Sequence, residues 1–229
     1  MRKIDGPPPQ PPQVPIPLRV PWRRWVRAGI LAVAISVGFA LDTFAQADKT
    51  AARSKGRPDA PVTIYGMSDF QCPYCRDFAV TTMPALEREY IKTGKVRFTF
   101  VNYPLTSVHR HAVVAAEVAM CAARQGKFWP VHDRLFRRQE QWAERQDAAA
   151  YLLALADSAG VNHGQLAACV TSHVTRPVID AEAAASQRSG ARSTPTFYIE
   201  GGLIDGAAPL EAFREILDSI YQAKTAPTR

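Results

Sequence analysis

The sequence predicts an α/β fold, a sheet with helices on both faces interrupted by an inserted block of helices. Three observations carry this. Two β-rich runs, at 61–70 and 95–105, flank a helical segment. An Ala-rich stretch from 108 to 189 then shows helical patterning and no convincing strand. From 194 a strand hairpin leads into a closing amphipathic helix.

The chain opens with "MRKIDGPPPQPPQVPIPLRVP", which holds 8 of the 18 prolines in its first 21 residues. That density predicts neither helix nor sheet there. "WRRWVR" precedes the apolar run "AGILAVAISVGFAL" (28–41), 14 residues long and short of the ~20 that cross a bilayer as a helix. The run ends near "FAQA", where Ala45 and Ala47 supply a small-x-small pattern. Residues 1–47 therefore read as a Pro-rich n-region and signal peptide cut after Ala47, with an uncleaved anchor as the alternative. Arg23–Arg24 hints at twin-arginine export, but Arg27 stands where an apolar residue is expected. On either reading the folded part faces an oxidising, periplasmic or otherwise exported compartment.

Residues 48–60 are a polar lead-in. "PVTIYGMSDF" (61–70) is a buried strand, with Val62, Ile64 and Tyr65 supplying β propensity. After Cys72, Phe78, Leu86, Tyr90 and Ile91 recur on one side of a helix that Pro73 opens and Gly94 stops. Pro84 should kink or split it. In "KVRFTFVNYPL" (95–105), Val96, Phe98 and Phe100 alternate on one face of a second strand. Residues 61–107 thus form a first half, 108–189 an insertion of four or five helices, and 190–222 a second half. The second half contains "TPTFYIEGGLIDG" (194–206), with a hairpin turn at Gly201–Gly202. It closes with a helix whose Leu210, Phe213, Ile216, Leu217 and Ile220 share a face, before a tail at 223–229.

Composition excludes a disordered chain, at 47% apolar and 21% charged residues. Of the formal charge of +7, residues 1–47 carry +4; the remaining +3 gives no case for nucleic acid. Basic runs such as "RLFRR" (134–138) read as a solvated helix face.

The chemistry centres on "SDFQCPYCRDF" (68–78). A cysteine between a strand and the first turn of a helix meets the positive end of the helix dipole and unpaired backbone N–H groups. Both lower its pKa, from about 8.5 to roughly 3.5–7.5 in such motifs. Cys72 is therefore expected to be the exposed nucleophilic thiolate and Cys75 the buried resolving thiol, with Pro73 and Tyr74 tuning the pair. Zinc needs four ligands and one CxxC supplies two, so no metal site is expected. The histidines (109, 111, 132, 163 and 173) all fall in the helical block. "HRH" reads as a helix start and His132 as packing or capping. Copper(I), which two thiolates can hold, stays as an alternative. A purely structural staple is disfavoured because so short a loop restrains little chain entropy. Cys121 and Cys169 complete the four cysteines, which allow three pairings, and the adjacency of Cys72 and Cys75 favours one of them.

"VTIYGMSDFQCPYC", "TTMPALEREY", "GKFWPVHDRLF" and "STPTFYIEGGLIDGA" together resemble the DsbA-like branch of the thioredoxin superfamily, over residues 60–222. The resemblance implies a thioredoxin-like fold with an inserted helical subdomain. It also implies a cis Pro195, and a Thr194 whose backbone takes an extended substrate peptide by strand addition. It suggests a second disulfide between Cys121 and Cys169, with free thiols or an electron-relay pair as the other readings. Closing that 48-residue loop would contribute about 4 kcal/mol on the chain-entropy model. One departure stands out. Many relatives carry a buried acid six positions before the first Cys, where this chain has Gly66; Asp69 is the nearest acid, and water is a candidate proton acceptor.

The implied activity is a monomeric, cofactor-free thiol oxidase acting on reduced exported proteins and re-oxidised by a membrane redox partner. Glutaredoxins share CPYC but are small and cytosolic, and dimeric isomerases carry an N-terminal dimerisation domain not seen here. An isomerase or reductase of the same fold, a copper(I) carrier and a peptide-binding chaperone are the alternatives. The uncharged Tyr74 points to a less extreme potential than a histidine there would give. A helix-stabilised thiolate favours the reduced form and makes the disulfide an oxidant, so oxidation of substrate is the expected direction.

Overall fold

The computed structural model describes residues 2–3 and 50–226. Its strands are β1 (Arg2–Lys3), β2 (Ser54–Lys55), β3 (Val62–Ser68), β4 (Val96–Asn102), β5 (Thr196–Ile199) and β6 (Gly202–Asp205). They form one sheet in the order β1-β6-β5-β3-β4-β2. β3 and β4 run parallel and the other pairs antiparallel. β3 is central, so Val62, Ile64 and Met67 are buried on its two faces, which is why the run lacks a clean polar alternation.

Between β3 and β4 the chain is helical from Pro73 to Ile91, as α1 (Pro73–Asp77), a π turn (Phe78–Thr82), α2 (Met83–Leu86) and a second π turn (Glu87–Ile91). Pro84 does not split this run. The turns on either side widen instead, Met83 N–H reaching Phe78 O and Lys92 N–H reaching Glu87 O at 2.9 Å. The missing proline donor is absorbed within the wider spiral. Phe78 then stacks among Phe98, Phe197 and Phe213, tying helix to sheet.

Six helical segments follow where four or five were expected: α3 (Ala112–Ala123), α4 (Phe128–Arg137), α5 (Gln139–Trp142), α6 (Ala148–Asp157), α7 (His163–Thr171) and α8 (Arg176–Arg188). The extra one, α5, is a single turn set off from α4 by Arg138, which leaves helical geometry at φ −106° and ψ 11°. α3 is buried nearly all round because Ala115, Ala116, Ala119 and Ala122 let four other helices approach closely. Cys121 on α3 and Cys169 on α7 are joined by a disulfide, their Cα atoms 5.8 Å apart. α8 covers the second face of the sheet, near Met67, Val101 and Tyr103.

In the hairpin, Glu200 and Gly201 turn the chain with φ of +45° and +87°. Gly202 already pairs with Ile199, so the turn lies one residue earlier than Gly201–Gly202. Two successive positive φ values suit the twist of a two-residue hairpin. α9 (Leu210–Thr225) completes the fold, with Phe213 and Leu217 buried.

Two N-terminal expectations change. Arg2–Lys3 pair with β6, ahead of Pro7, the first proline, so the proline argument does not reach them. The polar lead-in contains β2, which pairs with β4, preceded by a helical turn at Ala51–Arg53. Arg53 is 2% exposed; its guanidinium donates to Phe100 O at 3.0 Å and to the Glu182 carboxylate at 2.8 Å. Asn102 donates to the same carboxylate from its backbone (2.9 Å) and its side chain (2.7 Å). The apolar run 28–41, the cut after Ala47 and the last three residues lie outside the described residues. Among the described residues no helix is long and apolar enough to cross a membrane.

Candidate active site

β3 delivers the chain to a short loop, Asp69–Gln71, and Cys72 then takes the N-cap position of α1 with Pro73 at the first helical site. The loop is gripped from several sides. Asp69 is buried, and its carboxylate accepts from Gln71 N, Leu105 N and His109 Nδ1, each at 2.8 Å. Gln139 Nε2 donates to Phe70 O (2.7 Å) and Cys72 O (2.9 Å). Gln71 Nε2 donates to Ala143 O, and Gln71 Oε1 accepts from His111 N. The helical insertion thereby fixes where Cys72 sits.

Cys72 is 4% exposed, not the open thiolate that its helix-start position suggested. The reason is Thr194: the Cys72 thiol donates to its carbonyl at 3.2 Å, and this loop covers the sulfur. What separates the two cysteines is their electrostatic setting. The Cys75 thiol, hydrogen-bonding to Cys72, brings the Cys72 pKa down to about 6 against the opposing effect of burial. The Thr194 hydroxyl and the amides of Cys75 and Tyr74 add to this. Thr194 Oγ1 is itself buried with no other hydrogen-bond partner among the described residues. Burial pushes the Cys75 thiol well above its ordinary range, and the neighbouring Cys72 pushes it the same way. Tyr74 projects outward, 64% exposed. The Thr194–Pro195 peptide bond is cis, and Pro195 leads directly into β5.

A CxxC at a helix start, one short loop after a strand and packed against a cis-proline loop, points to one family. Its model, described as thioredoxin, matches residues 48–219. The chain belongs to the thioredoxin family. An Na(+)/H(+) antiporter NhaA 3 of Salinispora tropica is 31% identical over 191 residues, 79% of this chain and 26% of that protein. The chain thus spans about a quarter of that relative's length. A probable disulfide bond formation protein D of Bacillus cereus is 28% identical over 66% of this chain and 71% of its own. Among solved structures, oxidised BdbD from Bacillus subtilis superposes at TM-score 0.68 with 23% identity, covering 74% of this chain and 92% of that one. DsbA from Chlamydia trachomatis gives 0.67 at 17%, covering 76% and 93%. The fold is the thioredoxin-like one with a helical insertion.

In this thioredoxin-family chain the acid's place at Gly66 is sterically closed. A Cβ there would lie 2.6 Å from Phe98 Cζ. Asp69 does not substitute, since its carboxylate turns to Leu105 and His109 and only its amide meets Cys75 Sγ, at 3.5 Å. Gly66→Glu is accordingly expected to destabilise the protein by at least about 1–3 kcal/mol of overpacking, measured by urea unfolding. Unchanged stability would mean that Phe98 moves aside freely.

The histidines find protein partners: His109 on Asp69, His111 on Arg145 O, His132 on Asp133, His163 on Asp157 and His173 on Glu117. His109 sits nearer the site than a helix start implies, and Asp69 raises its pKa. Among the described residues no cluster of three or more His, Cys, Asp or Glu side chains is set to hold a metal ion. Sequence reasoning missed Gln71, Gln139 and His109. Their signal is three-dimensional, since each acts on a segment 40 to 72 residues away in the chain.

Proposed function

We propose that this chain is an exported protein thiol:disulfide oxidase, with Cys72 as the nucleophile and Cys75 as the resolving thiol. The observation that carries the reading is the opposed setting of the two sulfurs, Cys72 lowered to about 6 and Cys75 raised, beside the cis-proline loop. A substrate thiolate attacks Cys72 Sγ of the Cys72–Cys75 disulfide, and Cys75 leaves and takes a proton. A second substrate thiolate then attacks the substrate sulfur of the mixed disulfide. Cys72 departs as a stabilised thiolate, so two electrons pass from substrate to enzyme. Stabilising that thiolate stabilises the reduced form, which makes the disulfide an oxidant. The raised Cys75 thiol disfavours a resting pair of thiolates and so counts against a copper(I) carrier.

Thr194 and Pro195 would offer an extended substrate peptide an edge for main-chain pairing, which gives affinity with little sequence preference. Cys121–Cys169 would be a structural disulfide. Residues 1–47 would direct export, and a membrane redox partner would re-oxidise a monomeric, cofactor-free enzyme. The Bacillus cereus relative, a probable disulfide bond formation protein, supports this reading.

The test is oxidation of reduced, unfolded ribonuclease by the oxidised protein, together with the potential of Cys72–Cys75 measured in a glutathione buffer. Absence of disulfide formation, or a potential near −270 mV, would move the assignment to a reductase. Thiolate absorbance of the reduced protein should titrate with a midpoint near 6. The folded pKa lies below the ordinary 9.0, so the thiolate's contribution is full above that value and is lost as pH falls through about 6. The reduced form should therefore lose stability on acidification across this window while the oxidised form, whose cysteines do not titrate, does not share the loss.

A further inference from the structure

Resolving a mixed disulfide requires Cys75 to lose a proton, and its thiol is 1% exposed. Gly66 offers no acid, and the Asp69 carboxylate is turned away. Behind the active-site helix, however, lies a small cavity whose lining includes Gly66, Ser68, Cys75, Phe98, His132 and Phe136. Its space for a water's centre is about 10 Å³, enough for about one molecule, and three polar side chains border it. The titratable groups in its lining are Cys75 and His132.

We propose that His132 is the proton acceptor for the resolving thiol Cys75, working across the cavity that the two side chains share. His132 is held for this. Its Nδ1 lies 2.9 Å from Asp133 Oδ1, which makes Nδ1–H the donor and leaves the lone pair on Nε2. The rings of Phe70, Phe100, Phe128, Trp129 and Phe136 surround the imidazole at centroid distances of 4.9–5.8 Å. This burial holds its pKa below the ordinary value, so the base form prevails at neutral pH. The charged groups that act on it are Asp133, which raises that pKa, and Lys55, which lowers it. Ser68, hydrogen-bonded to Cys75, lines the same cavity as the two titrating groups.

In the release step, Cys75 gives its proton across this cavity to His132 Nε2 as its sulfur attacks Cys72 Sγ. The Cys72–Cys75 bond forms, the bond from Cys72 to the bound sulfur breaks, and that sulfur leaves as a thiolate carrying the electron pair. In the oxidising direction the protonated His132 returns the proton to the departing Cys75. The proposal rests on reading Cys72–Cys75 as an exchanging pair, but not on the direction in which it works.

The experiment forms the Cys72–glutathione mixed disulfide of the full chain at about pH 4, jumps the pH and follows glutathione release. With Cys72 capped, its own titration is silent. In the wild type, release should rise with pH and level off below about 6.5 as His132 loses its proton. In His132→Gln, release at pH 7 should be slower by about 100-fold or more and should lose that break. Cys72 alkylation should keep its midpoint near 6 in the variant. A wild-type profile log-linear through the whole range overturns the proposal, without need of a variant. So does a folded His132→Gln that releases glutathione within about twofold of wild type. Failure to oxidise ribonuclease with these release kinetics intact would remove the oxidase reading alone.

Discussion

Cys72→Ser is expected to abolish disulfide formation in reduced ribonuclease, because a hydroxyl oxygen cannot accept or pass on a disulfide. Cys75→Ser should instead accumulate mixed disulfides at Cys72, since nothing remains to resolve them. A finer result separates Cys75→Ser from Cys75→Ala. The Cys75 hydrogen bond is the largest single cause of the low Cys72 pKa. Serine keeps a donor at that place and alanine does not. Alkylation of Cys72 at pH 6 should therefore be slower in Cys75→Ala than in Cys75→Ser, by about tenfold per unit of lost pKa shift. Retained oxidase activity in Cys72→Ser would sink the assignment of the nucleophile. Equal alkylation rates in the two Cys75 variants would mean that the backbone amides and Thr194 alone set the thiolate.

The second large effect is expected far from the redox centre. Arg53→Ala should cost about 3–5 kcal/mol, read from urea unfolding, because it leaves the Glu182 carboxylate buried without its cation. The Glu182 side chain is only 16% exposed, and the backbone carbonyl of Phe100 loses a donor at the same time. Asn102 still donates twice to that carboxylate, which places the expectation towards the lower end. Adding Glu182→Gln to Arg53→Ala should recover part of the loss, since it removes the stranded charge. A loss below about 1 kcal/mol for Arg53→Ala would show that water reaches the site and screens it. The pair also bears on processing: a cut after Ala47 would put the new terminus a few residues ahead of a buried arginine. The segment 50–55 belongs to the folded sheet rather than to a tether.

Much of the fold was legible because its signals are local. β-branched and aromatic runs mark β3, β4 and β5, and a 3–4 spacing marks α9. Proline at a helix start and a CxxC beside it mark the site. The misreadings share one cause. The polar lead-in gave no sign that Arg53 is buried, because its partner lies 129 residues further along the chain. The hairpin turn was placed one residue late because three residues, Glu200, Gly201 and Gly202, compete for two turn positions. There the pairing of Gly202 with Ile199 decides. Pro84 promised a break, but flanking residues offered an i to i+5 pattern that the sequence does not advertise.

At the site the division is sharper. The sequence by itself marked the CxxC pair and its place at a helix start, because these follow from residue type and spacing; the proline loop that faces it was legible only through the family resemblance. Tertiary structure alone decided that Cys72 lies covered by Thr194, and that Gly66 is closed by Phe98. It alone decided that Gln71 and Gln139 anchor the loop to the insertion and that His132 shares a cavity with Cys75. The physical reason is that hydrogen bonding, burial and proton transfer act through space over a few ångströms. The partners that set the chemistry of Cys-Pro-Tyr-Cys arrive from positions 57 to 122 residues away, and only packing brings them there.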